Sequence, residues 1–148
     1  MVFRNRILLL TVLFVVFSSC KEQKQTEIEE ETSFQMYNLS PMAALMEQMY
    51  GQMAHAKEVI EQGSEQIDLG EFPVMHNELL TTELTDPRDR DFFFTDQAEK
   101  FLILERKLYA SSKETIVEDY NAVVNSCLAC HIKKCGGPIP RIKKLFIR

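Results

Sequence analysis

Apolar residues recur along this chain with a helical period, and no segment of strand length alternates apolar with polar. Met42, Met46, Met49, Met53 and Ile60 follow one another at intervals of four, three, four and seven residues, which is the stripe of an amphipathic helix. Ser40 ahead of them is a good N-cap, Pro41 suits the first helical position, and Gly63 stands where a C-cap glycine belongs. A second, shorter helix is predicted to open at Pro73 and run through Leu80, ending before Asp86-Pro87. Thr95 can cap a third, whose broad face comprises Phe94, Ala98, Phe101, Leu102, Leu108 and Tyr109. The fourth opens on the capping box Ser111-Ser112-Lys113-Glu114 and continues through Ile116, Tyr120, Val123, Val124, Cys127 and His131 to Gly136-Gly137-Pro138. Four amphipathic helices in one small domain predict an all-α fold, a four-helix bundle.

The pattern changes at the start of the chain. Arg4 and Arg6 precede an apolar run over residues 7–17, broken only by Thr11. A membrane-spanning helix needs about 20 apolar residues, so the run fits the core of a secretory leader instead. Ser18 and Ser19 directly before Cys20 look like a bacterial lipobox, which predicts a lipoprotein signal peptide over residues 1–19 and lipidation of Cys20. Residues 20–33 then read as a lipidated Cys followed by a solvated acidic tether with Ile28 as its only aliphatic residue. The thirteen residues 21–33 reach on the order of 45 Å when stretched. The expected organisation is leader, tether, a bundle over residues 34–135 and a basic C-terminal tail over residues 136–148. Lys21 behind Cys20 favours the periplasmic face of the outer membrane over the inner. Simple secretion, with Cys20 incidental, is the rival reading.

Composition narrows the function classes. At 45% hydrophobic and 26% charged residues the chain is ordinary globular protein, neither disordered nor polytopic. A net charge of −5 makes nucleic acid a poor partner, because phosphate binding needs a basic face. The charge is uneven: residues 21–132 hold 9 basic and 22 acidic side chains, whereas Lys133, Lys134, Arg141, Lys143, Lys144 and Arg148 have no acid among them. A solvated acidic bundle with its basic end folded back is one account of this. The other is a basic patch that steers an acidic redox partner.

One motif carries chemistry. Cys127-Leu128-Ala129-Cys130-His131 is C-x-x-C-H, the attachment motif of c-type haem. Positions i and i+3 place both sulfurs on one helix face, where they can form thioethers with the two haem vinyl groups, and His131 at i+4 can present a ring nitrogen to iron. The rivals are a zinc site, for which Cys135 would supply a fourth ligand by count, and thiol redox chemistry, which lacks its βαβ context here. A Cys127–Cys130 disulfide would be strained on a helix.

A helical bundle with C-x-x-C-H on its last helix resembles the cytochrome c prime and cytochrome c-556 family, over residues 40–134. The resemblance implies one covalent haem c packed between helices with His131 as proximal ligand. On the other face the family places a residue of the first helix, a Met in six-coordinate members and a non-ligating apolar residue in five-coordinate ones. That residue corresponds most nearly to Met46, with Met42 and Met49 one turn to either side. The chain departs from the family at Met42, where an Arg near the propionates is common, and at Lys134-Cys135, which replace an aromatic-basic pair.

Among rival ligands, His55 lies nine residues from Met46, half a turn round, and is expected to face solvent. His76 reaches iron only if the second helix folds over the haem. Cys135 is expected to be a free thiol near the haem edge, and Phe92, Phe93 and Phe94 are expected to be core at the bundle end. The leading expectation is a membrane-anchored electron carrier with His131 and Met46 as iron ligands and an unidentified redox partner protein; a homodimer is open. The alternative is a five-coordinate protein that binds or buffers NO or CO. A peroxidase needs a distal polar acid or base, which the Met-rich first helix does not offer, so no catalytic residue is assigned.

Overall fold

The computed structural model describes residues 38–65 and 67–148. The leader, Cys20 and the tether lie outside the described residues, as do the first residues of the expected bundle. Every regular element among the described residues is helical. Helix α1 spans Pro41–Glu61, α2 Phe92–Tyr109, α3 Ile116–Lys134 and the short α4 Ile139–Ile142; 3₁₀ turns occupy Val74–Leu80, Pro87–Asp89 and Lys143–Leu145. No helix among the described residues is long and apolar enough to cross a membrane.

Helix α1 forms as its caps dictate. The Ser40 hydroxyl accepts from the Ala43 amide at 3.3 Å and meets Thr85 Oγ1 at 2.7 Å, and Gly63 leaves the helix with φ +68°. Met42, Leu45, Met49, Met53, Ala56 and Ile60 are its buried face. Across it runs the segment that the sequence marks as a second helix. That segment is a 3₁₀ turn, with its buried residues His76 and Leu79 three apart on one face.

The start of α2 differs from expectation. Asp91, not Thr95, is the N-cap, its carboxylate accepting from the Phe94 amide at 2.8 Å. The three phenylalanines consequently lie inside the first turn, where only Phe94 is buried; Phe93 is half-buried under Lys133, and Phe92 is 86% exposed. A connection over residues 110–115 folds α3 back on α2, the short link that antiparallel neighbours require. The capping box is displaced too. Residues 113–115 form a turn and α3 begins at Ile116, while Ser111 bonds the Asp119 carboxylate at 2.6 Å.

Helices α2 and α3 make the most extensive helix pair, and α1 meets α3, the 74–80 turn and the C-terminal segment. Tyr120 fastens α3 to α1: wholly buried, it donates to the Met53 carbonyl at 2.9 Å. The basic tail is part of the core. Ile142 and Leu145 are buried, Lys57 donates to the carbonyls of Lys144 and Phe146, and Asn121 exchanges two hydrogen bonds with the backbone of Ile147.

Candidate haem site on the last long helix

Cys127, Cys130 and His131 occupy one face of the final two turns of α3, each half-buried. Three clefts open against that face. One, with a volume of about 840 Å³ including the part open to solvent, is walled by Met42, Met46, Leu84, Phe94 and the C-terminal turn of α3. The second, about 490 Å³, runs between α1 and the C-terminal segment, past Tyr50, Met53 and Ile142. The third, about 370 Å³, lies against Phe94, Ala98 and Phe101 of α2. Met46 and His131 line all three, and the two cysteines line two each.

Met46 is thereby set apart from its neighbours. Met42, Met49 and Met53 are buried and fill the core, whereas Met46 is half-buried and borders open space in every cleft. Phe94 and Phe101 supply flat apolar walls, each in two clefts. His55 is exposed, as expected. His76 lines none of the three clefts; it is wholly buried and bonded through Nδ1 to Glu105 Oε1 at 2.7 Å. That pairing, and the position of the buried Glu105 itself, had no counterpart in the reading of the sequence.

The electrostatics of the motif follow from its setting. Burial is the first cause that pushes the Cys127 thiol up to about 12, with the charge of Glu105 adding to it. Burial also raises Cys130, against the opposing pull of Lys134. Both sulfurs are therefore protonated thiols at neutral pH, and no disulfide joins them. His131 Nδ1 lies 3.1 Å from the Cys135 carbonyl oxygen. A carbonyl can only accept, so Nδ1 is the donor, and in the neutral ring that leaves Nε2 with its lone pair. A histidine that binds a metal is oriented in this way, its second nitrogen bonded to a backbone carbonyl.

The donor set does not close into a zinc site: among the described residues no three His, Cys, Asp or Glu side chains gather where they could hold a metal ion. What the arrangement offers is one imidazole nitrogen, two neutral thiols and a thioether around a largely apolar space. Cys135 is exposed at the rim of the largest cleft. Two contributors to the site, Tyr50 and Arg141, were missed among candidate ligand residues; Arg141 was visible only as part of a basic run. Comparison with protein-family models, curated proteins and solved structures finds no match.

Proposed function

We propose that this protein is a c-type cytochrome that carries electrons, with one haem attached through Cys127 and Cys130. In this reading His131 Nε2 and Met46 Sδ would hold the iron. The observation that carries the proposal is that Met46 and His131, alone among the lining residues, border all three clefts at the C-x-x-C-H face. The His131 tautomer and the two unpaired thiols suit the same group.

When bound, the haem supplies a one-electron couple between Fe(III) and Fe(II). The chain's own residues prepare for it. Cys127 and Cys130 would hold the haem through thioethers, each S–H adding across a vinyl π bond with its hydrogen left on carbon and no net oxidation. The Cys135 carbonyl accepts from His131 Nδ1, and Phe94 and Phe101 are apolar walls that would keep water from a bound haem. A Met ligand raises the reduction potential relative to a second His. The architecture that fits is a four-helix bundle of the cytochrome c prime and cytochrome c-556 type, in which the second helix is shortened to the 3₁₀ turn Val74–Leu80. The leader and Cys20 add a lipid anchor at the periplasmic face of a bacterial membrane, the outer more than the inner.

The test is an absorption spectrum and intact mass of the full chain made in a host that matures c-type cytochromes. A Soret band with a mass gain of one haem is the expected result, and a colourless product refutes the reading. The Met46→Ala variant tests the sixth ligand. Loss of the reduced low-spin spectrum is expected; an unchanged one removes Met46 from the site. A high-spin resting protein that binds CO rapidly would turn the reading to gas binding.

A further inference from the structure

The clefts around His131 are apolar in the middle and charged at two rims, one with an excess of acids and the other with a balanced Arg141–Glu47 pair. At the first, Glu47, Asp86 and Asp89 stand against Lys134, the one cation lining that cleft. Lys134 is already engaged, with Nζ 2.7 Å from Asp91 and 3.4 Å from Asp89. A carboxylate arriving there meets more negative than positive charge. The second rim is made by the C-terminal segment, which turns at residues 136–138 and lays α4 beside the cleft. Arg141 is the cation on that side; Nη1 and Nη2 donate to Glu47 Oε1 and Oε2 at 2.6 and 2.9 Å. Its guanidinium carbon lies 3.9 Å from the centre of the Tyr50 ring.

A guanidinium has five N–H donors in a planar fork. Glu47 takes two of them here, which leaves three for another acceptor. The Tyr50 ring stacked on the guanidinium helps to hold the fork in place. Lys143, Lys144 and Arg148 follow in the same segment, all exposed and without a neighbouring acid in sequence. Haem carries two carboxylates, and in an acidic protein they need such a place.

We propose that Arg141 binds a propionate of the haem, its fork shared between that carboxylate and Glu47, so that the propionate edge lies at the α4 rim and not at the Asp86–Asp89 rim. This rests on the haem reading above. It also gives the C-terminal segment a role in binding: residues beyond the C-x-x-C-H motif complete the pocket and carry its anion-binding group.

The experiment uses the haem-loaded full chain with Arg141→Gln, Arg141→Lys and Glu47→Gln, read by resonance Raman at the propionate bending band and by redox titration at one pH. Arg141→Gln should shift the band and lower the equilibrium constant for reduction about three- to tenfold, a tenfold change being about 59 mV for one electron. Arg141→Lys keeps the charge but not the fork, so the band should move while the potential stays. Glu47→Gln removes a competing carboxylate and should raise the equilibrium constant. Should Arg141→Gln fail to load haem, the other two variants carry the test. A propionate band at the wild-type position in every Arg141 variant that loads haem overturns the proposal and leaves the haem reading intact. Wild-type protein without a Soret band fails the haem reading itself.

Discussion

His76 and Glu105 form a hydrogen-bonded pair with side chains 0% and 1% exposed, and His76 Nε2 and Glu105 Oε2 have no protein partner. His76→Leu strands the Glu105 carboxyl in the core, and Glu105→Leu strands the imidazole. A buried polar group left alone costs about 1–3 kcal/mol, and the pair's own hydrogen bond is lost as well; each single change should therefore cost about 3 kcal/mol. That is a large share of the roughly 5–15 kcal/mol that stabilises a domain. With an urea m-value of about 2 kcal/mol/M, it lowers the unfolding midpoint by about 1.5 M. The double replacement removes both polar groups and leaves none stranded, so it should cost far less than the roughly 6 kcal/mol sum of the singles. Urea titrations followed by far-UV circular dichroism, with all four proteins in the same haem state, measure the cycle. A double variant as unstable as the sum of the singles would refute the reasoning.

Three further outcomes follow from the same packing. Leu145→Ala should cost about 2–5 kcal/mol in urea unfolding, as a buried core leucine does; an effect near zero would return the C-terminal segment to solvent. Asp119 is held below the usual carboxylate range by its bond to Lys107 and then by the Ser111 hydroxyl. Its folded pKa lies below the unfolded value of about 3.9, so its stabilisation is present above about pH 4 and is lost as pH falls through the folded pKa. Asp119→Asn should accordingly lose stability at neutral pH and flatten the acid limb of thermal melts; a limb as steep as wild type counts against it. In haem-free protein at pH 8, alkylation mapped by peptide mass should mark exposed Cys135 first and Cys127 last, since a thiol near pKa 12 is thiolate in only about one molecule in 10⁴. Equal rates would contradict the burial of Cys127.

Much of this architecture is legible in the residues. The Ser40-Pro41 start, the Met stripe and Gly63 define α1 to within two residues, because caps and periodicity are local signals. Other features depend on partners far away in sequence. The first turn of α2 begins at Asp91, not Thr95, because the Asp91 carboxylate reaches the Phe94 amide and is itself held by Lys134, some forty residues on. Glu105 stands on the apolar stripe of α2, a mismatch visible in the sequence, yet only the fold brings His76 to it. The C-x-x-C-H spacing was legible in the sequence, and the structure places its three side chains on one face of α3. Its surroundings were not, since Tyr50, Phe101 and Arg141 come from three different elements. Met46 could be separated from Met42 and Met49 only by its partial exposure and by its lining all three clefts, where Met42 lines one and Met49 two.

His131 takes its second contact from the main chain, at the Cys135 carbonyl, and not from a side chain. Side-chain replacement at position 135 by any residue other than proline therefore leaves the ring's anchor untouched. An inserted residue or a proline in residues 132–136 does move it, and with it the electron-donating strength of the opposite nitrogen. The turn that follows α3 is thus a tuning element tolerant of spelling changes and intolerant of changes in length.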